Sequence, residues 1–163
     1  MRQTTKDILL KTKQHLDSLN NQLIDELTKV IEGDLGLNKS THIGKVDLLD
    51  IVVFVDGYRL GLYPMDSSSS QLGYRSLLKE EYSNGLLIDE ELNPNLDHYD
   101  LKNEADIQDL DEFEKAQKEI FLEFFINCWN KTDNRKLRLP IYLKFHDTDD
   151  SFDLKTNRWV KEK

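Results

Sequence analysis

The chain has 163 residues, 38% of them hydrophobic and 33% charged, with a net charge of −9 and one cysteine. That length is enough to bury a core without staples, and the single Cys128 excludes an internal disulfide and fits a reducing compartment. The acidic balance argues against direct nucleic-acid binding, which needs clustered lysine and arginine.

The first residues carry only a three-residue apolar run, too little for the core of a signal peptide, and no stretch approaches a membrane span. The expectation is one domain over residues 1–163, cytoplasmic, with no membrane association. Thr4 or Thr5 is placed as the cap of a first helix. Leu9, Leu16, Leu19, Leu23, Leu27 and Val30 recur at helical spacing, opposite Lys11, Gln14, Asp25 and Lys29, so that helix is amphipathic and long. Gly33 and Gly36 are read as its end.

Leu48 to Tyr63 reads as a hairpin. Asp56-Gly57 supplies a two-residue turn needing positive φ at both positions. Pairing outward sets Val53 against Leu60 and Ile51 against Leu62 on a core face, with Val52 against Gly61 and Phe54 against Arg59 on the other. Because Val52 and Phe54 are apolar too, the first strand is expected to be central and the second nearer an edge. Asp66 to Gln71, with four consecutive serines, is a connector. Leu72 to Tyr82 is a candidate short helix, and Leu86-Leu87-Ile88 is either a short strand or a buried turn.

From Asp89 to Glu114 the chain holds eleven acids against one base, Lys102, so the remainder is nearly neutral. Asn103 is a good cap for a helix with Asp106 in its first turn. Farther along, Glu119, Glu123, Asn127 and Asn130 form a narrow polar strip, and Phe121, Phe124, Phe125, Cys128 and Trp129 spread over the rest. Such a helix lies through the middle of the fold or against another chain, leaving monomer or homodimer open. Ile141, Leu143 and Phe145 then alternate with polar residues, and a second hairpin follows through Phe152 and Leu154. The expected architecture is α+β: an antiparallel sheet of about four strands, made from two hairpins, packed against two long helices.

No local pattern supports a catalytic or cofactor site. His15, His42, His98 and His146 make no metal-ligand spacing. Asp147, Asp149, Ser151 and Asp153 have the alternation of a calcium loop, but Phe152 stands where its glycine belongs and Arg158 where its glutamate belongs. The expectation is no cofactor, no metal and a non-enzymatic role. The alternative is a small-ligand or enzymatic pocket between sheet and long helix near His146 or Tyr142.

The acidic stretch therefore carries the functional expectation, against the plain alternative of a solvated face. Ordinary surfaces intersperse both signs; this one does not. Asp89, Glu90, Glu91, Asp97, Asp100, Glu104 and Asp106 are the candidate partner-binding acids, with Tyr99 as aromatic anchor, and the partner they fit is a basic protein. In size, charge and composition the chain is similar to the small acidic immunity proteins that neutralise cationic bacterial toxins. No motif carries that likeness; it implies a toxin-like basic partner as an expectation only.

Overall fold

The computed structural model describes residues 1–32, 45–72, 76–79, 82, 84–146 and 148–161. Among these residues there are three α-helices, α1 (Gln3–Ser18), α2 (Asn20–Ile31) and α3 (Glu104–Asn130). Five strands accompany them: β1 (Leu48–Phe54), β2 (Arg59–Met65), β3 (Ile141–Phe145), β4 (Asp150–Asp153) and β5 (Arg158–Lys161).

The first helix is two helices. Ser18 Oγ donates to the His15 carbonyl at 2.6 Å and Asn20 Nδ2 to the Asp17 carbonyl at 2.9 Å. These side chains compete for carbonyls that would continue α1, and the chain turns at Leu19. The helix starts at Gln3 with Arg2 as a cap position that has no side-chain bond. Thr5, expected as a cap, is buried inside α1 and its hydroxyl donates to the Arg2 carbonyl at 2.8 Å. The expected terminator glycines, Gly33 and Gly36, lie outside the described residues, as do five of the eleven residues of the candidate helix over Leu72 to Tyr82.

The first hairpin pairs in the expected register, Val53 with Leu60 and Ile51 with Leu62. Its turn differs. Positive φ falls on Gly57 (72°) and Tyr58 (53°), one residue later than expected, which makes a four-residue loop. Leu87 reaches this tip through a backbone bond to the Gly57 carbonyl, 2.9 Å, and is fully buried. The segment around Leu87 is thus a turn, with Leu87 buried and Ile88 exposed, rather than a strand.

The sheet has the order β2-β1-β3-β4-β5 and is mixed, not antiparallel. β1 pairs with β3 in parallel, Leu49 with Ile141 through Val53 with Phe145. The expected second hairpin is a three-stranded meander, since the chain turns again after Asp153 and returns as β5. β1 is interior, between β2 and β3, while β3 holds the middle of the sheet and β2 is an edge strand, as expected for it. One face of the sheet, with Leu49, Ile51, Leu62, Ile141 and Leu143, meets α2 and α3 in a single core. α3 supplies Phe121, Phe124, Phe125 and Trp129 to it, and Glu119, Glu123, Asn127 and Asn130 remain exposed. The aromatic face of α3 is therefore covered by its own chain.

Candidate functional site

The acidic stretch wraps the N-terminal helix. α1 runs parallel to α3: Arg2 meets Asp109, Thr12 meets Gln117, and Asn20 meets Cys128. The segment before α3 runs the other way along α1. His15 Nε2 is 2.9 Å from the Leu86 carbonyl, Lys11 Nζ is 2.7 Å from Glu91, and Arg2 Nη1 donates to the His98 carbonyl at 3.2 Å. Gln117 Nε2 ties the two flanks together by donating to the Leu92 carbonyl at 3.0 Å.

At the first turn of α1 these flanks enclose a polar cluster. The Asp109 carboxylate accepts the Arg2 backbone N–H and, at 3.1 Å, the Tyr99 hydroxyl; the Met1 amine lies 3.5 Å away. Asp106 pairs with the Arg2 guanidinium and accepts the Asp100 N–H at 2.9 Å. The guanidinium also lies over the Tyr99 ring, 4.4 Å from its centre. Burial drives the Asp109 carboxyl upward, but the bonds from the Arg2 N–H, the Tyr99 hydroxyl and the Met1 amine outweigh it and hold it below its ordinary value. Burial and the bond to Asp109 raise the Tyr99 hydroxyl.

The candidate acids consequently fall into two groups. Asp106 is buried, and Tyr99 is half-buried with both its ring and its hydroxyl engaged, so neither is offered to a partner. Glu91 is exposed but paired with Lys11. Asp89 accepts the Glu91 N–H and Asp100 the Lys102 N–H, and both side chains remain at the surface. Glu90, Asp97 and Glu104 are exposed and make no ion pair with any described residue. The structure thus splits a continuous run of charge into an internal lock and an outward set.

One feature was not anticipated. Ile88, Leu96 and Leu101 are about two-thirds exposed, and Ile107 and Leu10 are exposed as well. Among the described residues these five make up most of the large apolar side chains left in water; three belong to the acidic stretch and Ile88 immediately precedes it. A sequence signal for them exists: Ile88-Asp89, Leu96-Asp97, Asp100-Leu101 and Asp106-Ile107 are each an acid beside an apolar residue.

The other candidates are weaker. His146 is exposed, with its ring 4.9 Å from that of Phe54, and its neighbour Asp147 lies outside the described residues. Tyr142 lines an open groove of about 430 Å³ with Asp50 and Ser151 on the sheet face away from the helices. A groove of about 410 Å³ runs between α3 and the sheet over Leu122, Phe145, Thr148 and Trp159. Another groove, about 560 Å³, lies beside the α1–α2 joint between Leu19, Tyr82 and Ile88. Cys128 is buried, 3.2 Å from Asn20 Oδ1, and burial pushes its thiol up to about 11, away from thiolate chemistry. Among the described residues no cluster of histidine, cysteine and carboxylates can hold a metal ion, and no helix is long and apolar enough to cross a membrane.

Comparison with family models, with curated proteins and with solved structures finds no match.

Proposed function

We propose that this chain is a non-enzymatic interaction protein that binds a basic protein partner through the outward part of its acidic stretch, an immunity-type inhibitor of a toxin being the concrete form. The observation that supports this reading is the placement of Ile88, Leu96, Leu101 and Ile107 in water along a stretch where Glu90, Asp97 and Glu104 are exposed and make no ion pair with a described residue. Acids alone are explained by solubility. Single exposed apolar side chains are ordinary on a surface, but four within residues 88–107, set among acids, are the raw material of a recognition patch. Together the two supply the parts of a recognition surface. Charge speeds encounter with a cationic partner, and desolvated apolar anchors slow its departure.

The reading separates these parts experimentally. Replacing Glu90, Asp97 and Glu104 together by lysine is expected to lower the association rate with a captured basic partner by at least about tenfold at low salt, with the difference shrinking as salt rises. Replacing Leu96 and Leu101 by serine is expected to raise the dissociation rate by about tenfold or more and to leave the salt dependence unchanged. Surface plasmon resonance at two ionic strengths reads both. A basic partner held equally by wild type and the triple lysine variant would overturn the proposal.

The second reading, a small-ligand domain, is supported by the groove over Leu122, Phe145 and Trp159. Its rim of Asp111, Glu114, Lys115, Lys118 and Glu119 is mixed in sign, and Glu114 and Lys118 already pair at 2.6 Å. It offers an apolar floor without convergent polar groups that would orient a ligand.

A further inference from the structure

The helices cover one face of the sheet, and the face they leave open holds a carboxylate in the middle of β1, where strands rarely place one. Asp50 is 6% exposed, and its Oδ2 lies 3.1 Å from Lys144 Nζ on β3. A cross-strand ion pair by itself is common sheet chemistry and adds little beyond fixing the register. The residues gathered around this pair are less easily explained.

Asp50 lines the groove of about 430 Å³ on this face, and three hydroxyl-bearing residues from three separate segments line it too. They are Ser69 in the turn after β2, Tyr142 on β3 and Ser151 on β4. None of the three hydroxyls makes a hydrogen bond with a described residue. Ser69 is exposed and Tyr142 half-buried, so water satisfies both. Ser151 is only 5% exposed, and its hydroxyl gives up most of its water without gaining a protein partner, which costs stability. The turn that brings Ser69 here is also built. Asp66 accepts the N–H groups of Ser68 at 2.8 Å and Ser70 at 2.9 Å, and Ser69 between them has a φ of 60°. The serine-rich connector thus forms one wall of the groove.

The chemistry of the lining chooses among ligands. Asp50 and Lys144 neutralise each other, and Lys161 at the rim stands opposite Asp150 in the β4–β5 ladder, so neither sign of charge dominates. Hydroxyls both donate and accept. Leu48 and Val160, with the Tyr142 ring, set apolar surface between the polar groups. A neutral molecule carrying several hydroxyls on an apolar frame matches that alternation, and a groove of this size admits a small sugar. We propose that the open face of the sheet carries a binding site for a neutral saccharide, with the Ser151 and Tyr142 hydroxyls exchanging hydrogen bonds with those of the sugar beside the Asp50–Lys144 pair. The site shares no residue with the acidic stretch, so it stands or falls separately from the role proposed above.

The test is heteronuclear NMR of the labelled protein with glucose, galactose, mannose, N-acetylglucosamine, maltose and cellobiose, each at about 10 mM. At least one sugar is expected to shift the amides of Tyr142, Ser151 and Val160, while sodium acetate and ethylammonium chloride at the same concentration do not. Ser151→Ala and Tyr142→Phe each remove one hydroxyl, and each is expected to weaken binding of the responding sugar at least about fivefold. Ser151→Ala is also expected to melt no lower than wild type by circular dichroism, because a hydroxyl kept for a ligand contributes nothing to the fold. Lack of a response to all of these sugars overturns the proposal, as does a response that both variants keep. An equal response to acetate or ethylammonium would assign the groove to the charges of Asp50 and Lys144 and overturn it too. A melting temperature of Ser151→Ala clearly below that of wild type would make the hydroxyl structural, with the same consequence.

Discussion

Alanine in place of Trp129 is expected to lower the free energy of unfolding by about 3–5 kcal/mol, the largest loss from any single truncation in this chain. The indole is 1% exposed and lies where the last turns of α3 pass behind the sheet. Its Nε1 also donates to the Leu154 carbonyl at 3.2 Å, just beyond β4. Truncation therefore opens a cavity and leaves a buried carbonyl without its donor at the joint between long helix and C-terminal meander. Trp129→Phe keeps most of the volume and loses the bond, so its expected cost is smaller, about 1–2 kcal/mol. Urea denaturation followed by circular dichroism gives both numbers. A loss under about 1 kcal/mol for alanine would mean that the helix end is not anchored as described.

The second large effect is expected at Asp109. Asp109→Ala removes the acceptor of the Arg2 N–H and the Tyr99 hydroxyl and leaves the cation of Arg2 beside Asp106 alone. A fully buried pair broken on one side costs about 3–5 kcal/mol. Here the Arg2 guanidinium keeps Asp106 and the Met1 amine keeps Glu112, so the loss is that of the orphaned N–H and hydroxyl, about 2–3 kcal/mol. The same carboxyl gives a signature in acid. Because its folded-state pKa lies below the unfolded one, its contribution is fully present above about pH 4 and is withdrawn as pH falls through the folded value. The stability difference between wild type and Asp109→Asn should accordingly narrow below about pH 4. If it stays constant down to about pH 2, the carboxylate is not the charged member of this cluster.

What the sequence disclosed and what it withheld divide along the range of the interactions. The register of β1 and β2 follows from a Gly-containing turn and from alternation within sixteen residues, both local. The polar strip of α3 follows from helical spacing. The break at Leu19 did not, because a leucine pattern runs straight through it, and the competing bonds of Ser18 and Asn20 leave no mark on hydrophobic period. The parallel contact of β1 with β3 was illegible for another reason. Either inner edge could have paired with either neighbour, and only the path of α3 decides. At the surface, the acidic run was plain, but not its division. Asp106 and Asp109 look like Asp97 in sequence, and their cations come from residues about a hundred positions away, at the start of α1.

The β1–β3 ladder also governs how the molecule is made. Leu49 and Ile141, partners in that ladder, are separated by about ninety residues of chain, a costly closure compared with either local hairpin. A nascent polypeptide can assemble β1 and β2 early, yet the flank of β1 that awaits β3 stays bare until the last third emerges. That flank is apolar on both sides, with Val52 and Phe54 opposite Ile51 and Val53. Slow maturation is the expected consequence of so distant a pairing, with β1, an interior strand of the finished sheet, spending its first moments as an unguarded edge.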